Sequence, residues 1–113
     1  MLNTQLKDSA SHYQNVEILD EEGYLIDTYE WSREFTERQA RQVNVELQDK
    51  HWALIELIRD KYLRLGALPP MRIVCKSVGI DRNDVKKQFG SCLNFWKIAG
   101  LPNPGEEARA YMN

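Results

Sequence analysis

Apolar side chains recur at helical spacing over most of the chain. The clearest case runs from about Gln48 to Leu65, where Leu54, Ile55, Ile58, Tyr62 and Leu65 share one face of an α-helix. Trp52 widens that face, Asp49 suits the positive end of the helix, and Gly66 marks its stop. This stretch is expected to be the central core helix. Upstream, Trp31-Ser32 opens a more polar helix, with Ser32 as N-cap and a thin stripe of Phe35, Ala40 and Val43 that breaks near Asn44 to Leu47. Downstream, Pro69-Pro70 leads into a short helix, Met71 to Val78, in which Met71, Val74, Cys75 and Val78 line one side. Gly79 ends it. Asp81 then caps a helix through Phe89, and Ser91 caps the last one, Cys92 to Ala99.

The two ends of the chain read differently. Val16 to Leu19 and Tyr24 to Asp27 are β-prone runs around the acidic turn Asp20-Glu21-Glu22-Gly23, which predicts a hairpin lying with one face on the helices. After Ala99, Gly100 fits a left-handed helix terminus, and Pro102 and Pro104 forbid a continuing helix. Leu-Pro-Asn-Pro favours an extended arm. The expected architecture is a mainly α (α+β) domain: an orthogonal bundle of about five helices, an N-terminal β-hairpin and an extended C-terminal arm. Residues 1–14 read as a flexible tail, 15–104 as the domain and 105–113 as a mobile arm tip.

Charge alters this picture more than composition does. The 113 residues sum to −2, but residues 1–59 carry six basic and twelve acidic side chains, whereas 60–104 carry eight basic and three acidic. The basic half could attract a nucleic acid or an acidic protein surface. Arg72, Lys76, Arg82, Lys86 and Lys87 fall on two successive short helices around Gly79-Ile80, the outline of a helix-turn-helix. No apolar run reaches the length of a membrane span, and Met1 to Gln14 lacks the apolar centre of a signal peptide. A cytoplasmic monomer without membrane contact is therefore expected.

Candidate chemistry is sparse. The sequence has no Gly-rich phosphate loop, nucleophile elbow or spaced carboxylate pair. His12 and His51 are far apart and the two cysteines lack a CxxC spacing, so neither a metal nor another cofactor is expected. Cys75 lies on the apolar side of its helix and reads as a packed hydrophobe. Cys92 lies in a first helical turn, where the dipole would lower a thiol pKa, with Lys97 not far off.

Several segments together carry a family resemblance. They are Asp20-Glu21-Glu22-Gly23-Tyr24-Leu25, Trp31, His51-Trp52, Ile58-Arg59-Asp60-Lys61-Tyr62, Pro70-Met71-Arg72-Ile73-Val74-Cys75-Lys76, and Lys97-Ile98-Ala99-Gly100-Leu101-Pro102-Asn103-Pro104. In that order, over about residues 16–104, the chain resembles the DsrC/TusE family of small sulfur-relay proteins. The resemblance implies a C-terminal arm bearing a persulfide-carrying cysteine at its next-to-last position. It implies partners among sulfur-relay proteins of the TusBCD or DsrEFH kind, serving tRNA 2-thiolation, or sulfite reductase in dissimilatory sulfur metabolism. Sulfite-reductase-docking members carry a second cysteine eleven residues earlier. It also marks Arg72, Lys76, Lys97, Gly100, Leu101, Pro102 and Pro104 as candidate binding residues.

The chain departs from that pattern where the chemistry would lie. Counting from the Ala-Gly-Leu-Pro string, the terminal cysteine position falls at Glu107 and the second at Trp96. The segment between Lys76 and Phe89 is several residues shorter than in typical members, and the arm runs several residues longer. A carboxylate cannot stand in for a thiolate, because sulfur transfer needs a nucleophilic sulfur. Three readings follow: a non-catalytic paralogue that docks on a relay partner or sulfite reductase, a carrier that has moved its thiol to Cys92, and a DNA-binding regulator using the basic helices.

Overall fold

The computed structural model describes residues 17–112. Among them are six α-helices: α1 (Arg33–Gln42), α2 (Asp49–Leu65), α3 (Met71–Ser77), α4 (Arg82–Phe89), α5 (Cys92–Ile98) and α6 (Glu106–Met112). The proposed tail, residues 1–14, lies outside the described residues. No described helix is long and apolar enough to cross a membrane.

Side chains fix most of the helix starts. Ser32 Oγ accepts the Phe35 N–H at 3.2 Å, Asp81 Oδ1 that of Asn83 at 2.9 Å, and Ser91 Oγ that of Asn94 at 3.0 Å. In α2 His51 supplies the cap: its Nδ1 accepts the Gln48 N–H at 3.0 Å, while its own N–H donates to the Gln48 carbonyl at 2.9 Å. Gly66, at φ +68°, closes α2. Leu54, Ile55 and Ile58 of α2 are fully buried. The stripe stops a turn earlier than its spacing predicts, since Leu65 is exposed to solvent.

Helix α5 is the hub. It packs against α1, α4 and α6, while α3 bridges α2 and α4. Phe95 and Trp96 are fully buried, and edge-to-face contacts link Phe89 to Phe95 and Tyr62 to Trp96.

Two expectations are corrected. The hairpin reduces to a tight turn with one isolated antiparallel bridge, Leu19 to Leu25, and no strand forms among the described residues. Gly23 has the positive φ that the turn needs, and Asp20 Oδ1 accepts the N–H groups of Glu22 and Tyr24, both at 2.9 Å. Adjacent Tyr24 and Leu25 are both buried, unlike a hairpin laid with only one face on the helices. Asp27 then turns the chain by capping a 3₁₀ turn, Thr28–Glu30. The second correction concerns the arm, which is irregular only from Leu101 to Gly105 before α6 forms.

The α2 cap carries a pH prediction. Burial lowers the His51 pKa, Lys50 lowers it further, and a Gln88 hydrogen bond partly opposes both. Protonation would also cost Nδ1 its role as acceptor for Gln48. Because the folded value lies below the ordinary 6.5, the unfolded chain binds more protons between the two values. The contribution is complete above 6.5 and is lost as pH falls through the folded value. Urea midpoints are expected to drop as pH falls below 6.5, and His51→Asn to flatten that slope. An unchanged slope in His51→Asn counts against this assignment.

Candidate functional site

The arm leaves the body at the C-terminus of α5, where the last carbonyls of a helix need partners. Side chains from three other elements supply them. Thr36 of α1 donates to the Ile98 carbonyl at 2.8 Å and accepts the Trp31 indole N–H at 2.7 Å. Thr28 donates to the Gly100 carbonyl at 2.8 Å. Arg59 of α2 reaches the same point: one guanidinium nitrogen donates to Thr28 Oγ1 at 3.0 Å and to the Ala99 and Gly100 carbonyls at 3.1 Å. Its other nitrogen donates to the Thr28 carbonyl at 3.0 Å.

This arginine is 8% exposed, and its guanidinium carbon lies 4.1 Å from the Trp31 ring centroid. Burial brings its pKa down to about 10, so it stays charged at neutral pH. Among the described residues no carboxylate pairs with it; the negative end of the α5 dipole and the carbonyls provide the compensation. Among the described residues, no buried polar side-chain atom lacks a hydrogen-bond partner. Inspection of the sequence alone does not flag Arg59, Thr28 or Thr36. One signal was available: Arg59 lies one turn beyond Ile55, on the inward row of α2.

Beyond this root the arm is tied down at each step. Leu101 is fully buried, and the Trp96 indole N–H donates to the Pro102 carbonyl at 2.7 Å. Asn103 donates to Glu22 Oε1 at 2.8 Å, and Arg109 of α6 forms an ion pair with the same carboxylate. Met112 returns to the core. Helix α6 therefore folds back onto the body, with Glu107 on its exposed side.

The candidate residues separate into three groups. Gly100, Leu101 and Pro102 anchor the arm, with Pro104 half-buried beyond them. Lys97 places its ammonium 4.9 Å from the Tyr24 ring centroid, so its contact is within the molecule. Arg72 and Lys76 are exposed, and with Arg82 they line one groove well apart in sequence from the arm.

The thiols are not presented for reaction. Cys75 and Cys92 are free and 1% and 3% exposed. Burial pushes Cys75 up to about 11. It also raises Cys92, although Arg82 and Lys86 pull the other way. The lowered thiol expected at the start of α5 is thus reversed: desolvation outweighs the helix terminus and nearby cations. Trp96, at the position of the expected second cysteine, is a core residue. Neither thiol lies on the arm.

The architecture is that of a small helical protein whose C-terminal arm is rooted in a buried polar network. The chain belongs to the DsrC-like protein family, whose model matches residues 11–106. It is 34% identical over 101 residues to the sulfurtransferase TusE of Buchnera aphidicola from Acyrthosiphon pisum, covering 81% of this chain and 88% of that relative. TusE of Salmonella paratyphi A is 30% identical over 94 residues, covering 75% and 86%. Among solved structures, the oxidized γ-subunit of dissimilatory sulfite reductase (DsrC) from Archaeoglobus fulgidus matches with a TM-score of 0.67 and 32% identity, covering 78% of this chain and 89% of that one. Thus both the sulfur-relay and sulfite-reductase branches lie among its relatives.

Proposed function

We propose that this protein is a docking member of the sulfur-relay family that has lost sulfur transfer. It keeps the body and the arm root, and binds a relay partner or sulfite reductase without delivering sulfur. One observation carries this reading: the arm position that would bear the persulfide is Glu107, while both thiols of the chain are buried and raised in pKa. Only a thiolate attacks a persulfide donor, so a desolvated thiol behind packed helices reacts slowly. A carboxylate at the arm tip has no sulfur to transfer.

Intact mass after incubation with a persulfide donor tests the proposal. The wild-type chain is expected to show no stable gain of one sulfur, and Glu107→Cys to show one. A wild-type gain abolished by Cys92→Ser would overturn the reading and make Cys92 the carrier.

A further inference from the structure

We infer that the groove between α3 and α4 is the partner-docking site, and that it takes an acidic protein segment carrying an apolar side chain. This inference rests on the reading of the chain as a docking module. Two adjoining depressions, of about 420 and 460 Å³, share Arg72, Lys76 and Arg82 as lining residues. Arg72 and Lys76 stand one turn apart on the outer face of α3, because Val74 and Cys75 turn into the core. Gly79, at φ +76°, swings the chain so that Arg82 opens α4 on the same side.

These cations are available for a partner. The ion pairs among the described residues engage Arg33, Arg38, Arg64 and Arg109, and none engages this groove. Among the described residues Asp81 is the one carboxylate lining it, and its Oδ1 already caps α4. Lys86 and Lys87 add charge further along α4, against Asp84.

The walls and floor identify the occupant. Ile73 is 64% exposed beside the cations, and Pro70, Met71 and Ile80 form apolar surface under them. A large exposed aliphatic flanked by cations is matched by carboxylates around a leucine-like side chain. A phosphodiester backbone offers nothing to Ile73.

The probe is a fluorescein-labelled peptide with four carboxylates around one leucine, read by anisotropy and by amide chemical shifts of the whole chain. Shifts are expected at Arg72, Ile73, Lys76 and Arg82. The triple variant Arg72→Glu/Lys76→Glu/Arg82→Glu is expected to weaken binding at least about tenfold, and Lys87→Glu, outside the groove, less than about twofold. Replacing the peptide's leucine with serine is expected to weaken binding about threefold or more. Binding that survives the triple variant overturns the inference, as does tighter binding of a single-stranded RNA of equal charge. Concentration-dependent self-association lost in the triple variant would instead assign the groove to a second copy, and also overturns it. The persulfide mass assay is independent of this groove. A sulfur gain with intact peptide binding removes only the docking-without-transfer reading, and failed binding without sulfur gain removes only this inference.

Discussion

A side chain at Gly100 is expected to destabilise the protein by about 3 kcal/mol or more, read as the urea midpoint of Gly100→Val. Two effects add there. The residue sits at φ +79°, where L-residues other than glycine are strained. A Cβ would also penetrate the Trp31 indole, overlapping Cδ1 and lying 2.9 Å from Cγ. Trp31 has little room to yield, held by its bond to Thr36 and by the Arg59 guanidinium over its ring. Gly66→Ala separates the two contributions. Gly66 has a similar φ of +68°, but among the described residues nothing beyond its own chain neighbours lies within 4 Å of a Cβ placed there. That variant is expected to lose about 1 kcal/mol, the conformational part alone. Equal losses at the two glycines would mean that the Trp31 contact is not the cause.

The second large effect is expected at Arg59. Arg59→Met preserves most of the apolar stem but removes every guanidinium donor from the arm root. Gly100 O keeps its bond from Thr28, and Thr28 O keeps one from the Trp31 N–H at 3.2 Å. Ala99 O, in a fully buried residue, is left with none of the bonds described here. Lost charged hydrogen bonds run at about 1.5–3 kcal/mol, and the unsatisfied carbonyl adds its own penalty. Methionine returns the desolvation cost of the guanidinium, so the net loss is expected near about 3 kcal/mol. Arg59→Lys keeps the charge but cannot reach Thr28 and both carbonyls from one ammonium, so it is expected to recover less than half. A double-mutant cycle with Thr28→Val should show strong coupling, since the two side chains share one network. Additive losses would place the effect elsewhere.

These two positions also show what a sequence discloses about its fold. Gly100 was legible: glycine followed by Leu-Pro-Asn-Pro states a helix stop and an arm, and the family follows from that string with the segments before it. The long α2 was legible from its spacing, apart from Leu65, where the core ends before the pattern does. Arg59 was not, because a charged residue in a charged helix reads as solvated unless its partners are known. Those partners, Thr28 and the carbonyls of Ala99 and Gly100, lie 31 to 41 residues away and become visible only after folding. The N-terminal hairpin failed for a related reason. Its turn chemistry is local and appeared as expected, but strand length depends on what the flanks pack against. Cys92 failed through competing magnitudes: its place at a helix start is readable, its burial is not, and burial wins.

Trp96 makes the fold unequally tolerant of a new thiol at two positions. Its indole fills the centre of the molecule, touches Tyr62 and holds the Pro102 carbonyl. A cysteine there would replace a large ring with a small thiol, opening a void and freeing the arm at once. Glu107, on the outer side of α6, can be replaced by cysteine with almost no structural consequence. A thiol at position 107 would therefore cost the fold little, whereas one at position 96 is opposed by the packing of the core.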